Sequence, residues 1–573
     1  MNLIPRVEET KQGKEIGALF LSPGLELFTT VGNGPIWGEH IFYQSVTGPA
    51  LIHFFLYVAS GNDIYAIDND GSSTFLGSVT GVTGEVNFKD NGGQLGIFTT
   101  TGAWLIGHDG MGVPLTGGTI GVAGIDYTDG DIIYLSPTTG NAAATAAVEV
   151  TSVDGSGGVT GFSISILNGL PLSGLFNLTP SIPTGFVQAF TTGSGSGFEL
   201  SAPTFGAPTW LYQIPLPFDP VAGQISAVQQ DGFIIISQPL FYIMWQSELL
   251  DMSLFLPLKF ASASGNPTAI TSMQQIHREI FVIETYNTEV WINAGTSPFT
   301  FARLDGVYIE KGTLSPASVV QIGEELMWLS QDTDGICSIV RLRGYEPRIV
   351  SDTAVTTIWQ TYSDVTNAIA YAYQLGGRRY YIISFPSGNS TWGYNITDSD
   401  LLGVPVWFQL GQFDSGRFNR HIAQISTGSG TQGGLLSGKT ILGDYRNGNL
   451  YTYKPNGLTD NGAQRKWLRS WRARQPGQAS FDPIRFNALQ IDMQTGIDVP
   501  IDTDPQVELR WSDDGGHSWS MEHFIPAGKL GETARRVKIN RLGSTKRNAG
   551  LDRIFELSSS DMFPVTIIGA DLI

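Results

Sequence analysis

Apolar and polar residues alternate along most of the chain in short runs. Gly, Asn, Asp or Pro interrupts the alternation roughly every ten residues, the pattern of strands joined by tight turns. Asp63-Ile-Tyr-Ala-Ile-Asp68, Gly96-Ile-Phe-Thr-Thr100, Gly232-Phe-Ile-Ile-Ile-Ser237 and Arg379-Tyr-Tyr-Ile-Ile-Ser384 are examples. A helical period is almost absent, so the fold class is all-β. One unit recurs in degenerate form, a short aromatic and aliphatic strand that ends in a Gly turn. It reads Asn62 to Asp68 with Gly71, Ala103 to Gly107 with Asp109-Gly110, Glu289 to Asn293 with Gly295, and Gly448 to Tyr453 with Asn456-Gly457. Inner hairpins of propeller blades have this form. A β-propeller body is therefore expected, with stacked β-sandwiches as the alternative. The irregular spacing does not fix a blade number.

Two segments break the texture. Between Ile120 and Pro208 there is no Lys, Arg or His, and the stretch is rich in Ala, Thr and Gly, as in Asp154-Gly-Ser-Gly-Gly-Val159 and Thr192-Gly-Ser-Gly-Ser-Gly197. It reads as a small β-domain (120–207) inserted into a loop of the body, because exposed loops accept insertions at little thermodynamic cost. The last ninety or so residues concentrate basic side chains: Arg535, Arg536, Lys538, Arg541, Lys546, Arg547 and Arg553. Strands are expected there over Phe486 to Met493, Gln506 to Trp511 and Arg535 to Ile539. The predicted organisation is a propeller body from 1–119 and 208–480, the insert, and a C-terminal β-module over 481–573.

At 573 residues, two to four domains are expected, and a 41% hydrophobic content is ample for their cores. Only 15% of residues are charged, while 13 Trp, 19 Tyr and 31 Phe are present, a balance that suits a chain whose surface is partly covered by neighbours. The formal charge of −19 argues against a protein that grips nucleic acid, since neutralised phosphates supply most of that affinity. A wall that repels DNA would, however, suit a conduit through which DNA slides. The single Cys337 excludes a disulfide framework and a CxxC metal site. Met1 to Gly24 carries charges and lacks the apolar core of a secretion signal, and no apolar run is long enough to span a membrane. Synthesis in a cytoplasm is expected.

No catalytic, metal or cofactor site is predicted. Gly193-Ser-Gly-Ser-Gly197 lacks the Lys-Ser/Thr of a phosphate loop and reads as a flexible turn. The seven His are scattered, and Asp498, Asp502 and Asp504 read as a solvated loop. Ser512-Asp-Asp-Gly-Gly-His-Ser-Trp519 matches the aspartate-box pattern of sialidases and other propellers. That resemblance implies a structural hairpin in which Ser512, Asp514, Gly516 and Ser518 close the turn and Trp519 packs beneath it. A glycosidase would need further catalytic groups that a single box does not supply. The one dense basic run is Arg465 to Arg474. As a strand it puts Trp467, Arg469 and Trp471 on one side, with Lys466, Arg472 and Arg474 on the other. A subunit contact, a nucleic-acid contact and plain packing all remain open for it, and Trp467, Arg469, Trp471, Arg472 and Arg474 are the contact candidates.

Taken in order, Pro23-Gly-Leu, Gly443-Asp-Tyr-Arg-Asn-Gly-Asn-Leu-Tyr451, Trp511 to Trp519, Arg541-Leu-Gly543 and Arg553-Ile-Phe-Glu-Leu-Ser-Ser-Ser-Asp561 resemble the phage stabilisation proteins. These are packaged-DNA stabilisation, tail hub or nozzle proteins of short-tailed bacteriophages. The similarity is best from Phe413 to Ile573. It implies a propeller-containing virion subunit without catalysis, forming a sixfold homo-oligomeric ring below the portal and adaptor. Such a ring would carry double-stranded DNA without reading its sequence and would anchor fibres, spikes or a needle. A glycan-binding or glycan-cleaving receptor-recognition propeller is the alternative, and a cellular propeller scaffold is a third reading.

Overall fold

The computed structural model describes residues 1–7, 17–45, 52–68, 70–79, 82, 84–106, 112–138, 146–164, 166–167, 170–171, 175–177, 184–205, 211–214, 216–218, 223–263, 265, 267–331, 335–428, 438–473, 484–545 and 553–572. Among them, strands dominate, two short α-helices occur, and no helix is long and apolar enough to cross a membrane.

Seven antiparallel sheets follow one another as propeller blades. Their innermost strands are Ile36–Ser45, Asn87–Asp90, Ala227–Gln230, Ile270–Ile276, Val320–Ile322, Ile369–Leu375 and Ala423–Gly428, for blades 1 to 7. Each neighbouring pair of blades buries its own apolar cluster. Leu76, Phe88 and Ile97 join blades 1 and 2, and Phe98, Ile214 and Ile234 join blades 2 and 3. Val228, Met273 and Val282 join 3 and 4, while Ile283, Leu326 and Trp328 join 4 and 5. Met327, Trp359 and Ile383 join 5 and 6, and Tyr373, Tyr380, Phe408 and Leu442 join 6 and 7. The ring closes where Ile441 and Leu450 meet Ile36, Ile41 and Leu56.

Two blades are completed from far along the chain. The outer strand of blade 7 is Gly24–Thr30, paired antiparallel with Asn449–Lys454. Closing the last blade with the first strand locks the ring and leaves no open radial seam. Gly448 is required at this closure: Val31 N donates to its carbonyl at 2.8 Å, and a Cβ there would overlap the Val31 carbonyl. The outer strand of blade 2, Leu211–Ile214, pairs with Ala103–Ile106 only after the inserted sheet has been made.

That insert is a curved seven-stranded sheet whose longest strands, Gly112–Ile125 and Ser196–Phe205, pair with each other. Leu115, Ile133, Val148, Phe186, Phe198 and Leu200 form its core. Its first strand begins at Gly112, ahead of the composition change at Ile120, because the strand is continuous while only its sequence texture shifts. Tyr134 and Ala147 of the insert pack against Leu254 of blade 3.

The C-terminal module is a β-sandwich. One sheet has the order Trp467–Ala473, Arg553–Ser559, Gln506–Ser512, His523–Pro526, and the other joins Arg485–Met493, Val537–Ser544 and Thr566–Leu572. Two boundaries differ from the sequence reading. Trp467–Ala473, expected in the propeller body, belongs to the sandwich. So do Leu3–Val7 and Gly17–Leu21, which add to the second sheet through Leu19↔Ile567 and Phe20↔Thr566. The reason is the sandwich core, where Leu3, Trp467, Phe486, Leu509, Phe555 and Val565 are buried together.

The N-terminal segment thereby ties propeller to sandwich. The buried Asn2 side chain donates to Gly411 O (2.7 Å) and Lys466 O (2.8 Å) and accepts from Gly411 N (2.9 Å). Buried Asp398, in the helix Ile396–Leu402 of blade 6, accepts from Val7 N at 3.3 Å and pairs with Arg378 at 3.1 Å. Arg465 is buried, donates to Ser22 O at 2.7 Å and pairs with Asp460 at 3.1 Å.

Two outcomes are expected. Asn2→Ala leaves buried polar groups of Gly411 unmatched and lowers unfolding free energy by about 2–4 kcal/mol, read by urea denaturation of the full chain. Glu39 of blade 1 has both carboxylate oxygens buried without a hydrogen-bond partner. Burial pushes its pKa well above the usual carboxylate range. A raised folded pKa means the stabilising protonated form is kept below about pH 4.5 and stability is lost as pH rises above it. Glu39→Gln therefore stabilises by about 1–3 kcal/mol at pH 8, with the gain vanishing near pH 4 in thermal melts across that range.

Candidate assembly surfaces

The basic run of the sequence folds as the strand Trp467–Ala473, paired with Arg553–Ser559. Trp467 is 1% exposed and sits in the sandwich core, so its indole offers no face to a base or a partner. Trp471 is half-buried, packs on the same core and lies 5.9 Å from the Phe555 ring. Lys466 is taken up by Glu508 at 3.1 Å. Arg469 and Arg472 are the exposed members of the run, and Arg474 lies outside the described residues. Alternation had placed the tryptophans correctly on one face. Which face is buried is decided by the second sheet, which the local sequence does not reveal.

Arg469 and Arg6 line a cavity of about 610 Å³ where the N-terminal strands, the end of the blade 6 helix and the sandwich meet. Its walls are otherwise largely apolar, including Leu19, Leu402, Trp471 and Ile567.

The aspartate-box segment is a closed turn between Gln506–Ser512 and His523–Pro526. Ser512 Oγ donates to Asp514 Oδ1 at 2.7 Å, Gly516 N donates to Ser512 Oγ at 2.9 Å, and Ser518 N donates to Asp514 Oδ1 at 2.8 Å. The Ser518 hydroxyl also donates to Asp514, and these donors hold its carboxyl well below the usual range. Trp519 is half-buried beneath the Arg510 guanidinium, 4.7 Å from its ring centre. The neighbouring Asp513 does a separate task. It receives a two-pronged pair from buried Arg553, at 2.7 and 2.9 Å, while that guanidinium lies over Phe486 and Trp511. The role of Asp513 follows from Arg553, forty residues on, and could not be read from the box.

The inner strands of blades 1, 2, 5, 6 and 7 line a partly open polar pocket of about 400 Å³, with Glu39, Glu85, Lys89, Gln321 and Ser426 in its lining. Burial raises the Glu85 carboxyl and lowers the Lys89 ammonium. A B-form duplex, whose major groove alone is about 12 Å wide, does not fit such a space.

Among the described residues, no three His, Cys, Asp or Glu side chains converge as metal ligands. His40 bonds Asp90 at 2.8 Å, His523 stacks on Trp511, and burial lowers the pKa of His421 to about 4. The charged surface has two further features. The edge strand Val537–Ser544 of the second sandwich sheet exposes Lys538 and Arg541, and Arg485 on the adjacent strand is exposed beside it. The insert, by contrast, has only acidic charges over residues 112–205.

Asp513→Ala strands the Arg553 charge in the core and is expected to cost about 3–5 kcal/mol, measured by denaturant unfolding. Asp514→Ala, confined to an exposed turn, is expected to cost much less in the same assay.

Two family profiles match the chain. The one described as "Bacteriophage P22 Gp10, beta-propeller" covers residues 219–455, and "Bacteriophage P22 Gp10, beta-sandwich" covers residues 477–570. No curated protein sequence matches. Similar solved structures include an ulvan lyase of a polysaccharide lyase family bound to -[GlcA(1-4)Rha3S]-, at 9% identity and a TM-score of 0.28, covering 75% of this chain and 95% of that one. An ulvan lyase of the same family without the saccharide gives 9% and 0.29, again over 75% and 95% of the two chains. Hsv2 of Kluyveromyces lactis gives 9% and 0.23, over 66% and 97%. Similarity at these scores carries no functional argument.

Proposed function

The chain belongs to the phage stabilisation family of bacteriophage P22 Gp10, a family of phage structural proteins, and from that premise we propose that it is a tail hub or nozzle subunit. Copies of it form a homo-oligomeric ring, expected to be sixfold, that continues the DNA channel below the portal and adaptor. The ring helps to retain the packaged genome, conducts it at ejection and anchors fibres, spikes or a needle. No catalysis is required of it.

The observation that carries this reading is the family match, which spans both the propeller and the sandwich. In such a ring the channel runs between copies, and its walls are the outer surfaces of the subunits. At a net charge of −19 per copy, those walls repel phosphate on average, which keeps DNA mobile. Rigid blades set the bore, and loops or a partner close it.

Electron microscopy of the purified chain, alone and with its portal and adaptor neighbours, tests the proposal. The expected result is a ring with a central opening wide enough for a duplex, roughly 20 Å given grooves of about 12 Å and 6 Å. Compact monomers that persist with the adaptor present contradict it, and binding to a glycan array by those monomers would point to receptor recognition instead.

A further inference from the structure

Within the ring reading, on which this inference rests, we propose that neighbouring copies meet head to tail, the acidic insert of one against the basic sandwich edge of the next. Three turns build the tip of the insert. Asp126 N donates to Ser156 O at 3.2 Å, Tyr127 N to Gly157 O at 2.9 Å, and Ser194 Oγ to Asp126 O at 3.3 Å. Buried Tyr127 braces them from below, its hydroxyl bonded to Gln188 and to Phe198 N. This fixed tip exposes Asp126, Asp129 and Asp154, and Glu199 follows on the adjoining strand. Residues 112–205 contain no Lys, Arg or His, so no cation of the insert itself can pair with them. Hydrogen bonds from Ser156 and Gly158 hold the Asp154 carboxyl below its ordinary range, which keeps it charged.

The complement is the sandwich edge. Arg485, Lys538 and Arg541 are exposed there, and among the described residues no carboxylate lies within ion-pair distance of them. Among the described residues the strand Val537–Ser544 is the last of its sheet, with no further strand paired to its outer side.

Placement makes the two surfaces partners between copies. The insert leaves from blade 2 and packs on blade 3 through Leu254. The sandwich is tied to blades 6 and 7 through Asn2, Asp398 and Arg465. On a seven-bladed disc these sites lie about half a turn apart. Two different, complementary patches on opposite sides of a subunit give a heterologous contact, the kind that closes rings. A second copy fits the basic edge better than DNA does, because a chain with a net charge of −19 repels phosphate on average, whereas a neighbour's insert offers carboxylates with no cation of its own beside them. Fixed opposite charges also set orientation and register.

The test is charge exchange in the full chain, followed by sedimentation and electron microscopy at about 150 mM salt, with circular dichroism and thermal melts to confirm folding. Lys538→Glu with Arg541→Glu is expected to weaken ring formation at least tenfold, as is Asp129→Lys with Glu199→Lys. These four positions are exposed and outside the cores, so the variants fold. Combining all four in one chain restores the ring. Rings that form normally in both double variants overturn the proposal and leave the conduit reading standing. Normal rings that bind duplex DNA less tightly after reversal of the sandwich edge also overturn it, and assign that edge to phosphate. A wild-type chain that forms no ring even with its adaptor fails the conduit reading itself and takes this inference with it.

Discussion

The structure hangs on the pairing of its first thirty residues. Leu3–Val7 and Gly17–Leu21 extend a sandwich sheet, and Gly24–Thr30 supplies the missing outer strand of blade 7. One segment thus closes two modules whose other strands lie hundreds of residues away. Without it, blade 7 would present an unpaired edge, and the interface between blade 6 and the sandwich would lose the buried Asn2, Asp398 and Arg465 contacts. The polar side chains at the junction are matched to backbone groups of both modules. That is where a buried polar network specifies one arrangement instead of merely holding two surfaces together.

A propeller closed in this way is packed between every pair of neighbouring blades. Seven inter-blade clusters fill the space between sheets. The polar pocket at the inner strands holds Glu39, Glu85 and Lys89 in an environment that disfavours their charges. What the fold leaves on the outside is the exposed edge of the sandwich and the acidic surface of the insert. This suits a phage structural protein, whose fold must keep its shape.

The strands and the propeller architecture were legible because alternation and Gly turns act over a few residues, as in Asp63–Ile67 and Glu279–Glu284. The family was legible for a similar reason, since its motifs are local and their order survives. The aspartate box is local too, with Ser512, Asp514, Gly516 and Ser518 bonded to one another within the turn. Blade number was not legible. The fourth strand of blade 2 arrives after the whole insert, and that of blade 7 comes from the N-terminus. Trp467 could be given a face but not a burial, because the sheet that covers it is assembled from both ends of the chain. Nothing in the alternation of Leu3 to Val7 distinguishes a propeller strand from a sandwich strand. Only the partner at Thr566 to Leu572, joined through Gly17–Leu21, settles it.

Hydrogen–deuterium exchange of the full chain, followed on the N-terminal peptide beside peptides covering Arg485–Met493 and Thr566–Leu572, tests the account most directly. If the first thirty residues bind propeller and sandwich into one body, their paired amides exchange as slowly as those of both sheets, and all are released together as urea is raised. Fast exchange of the N-terminal strands while both sheets remain protected would contradict it, showing that propeller and sandwich stand without the segment that is held to join them.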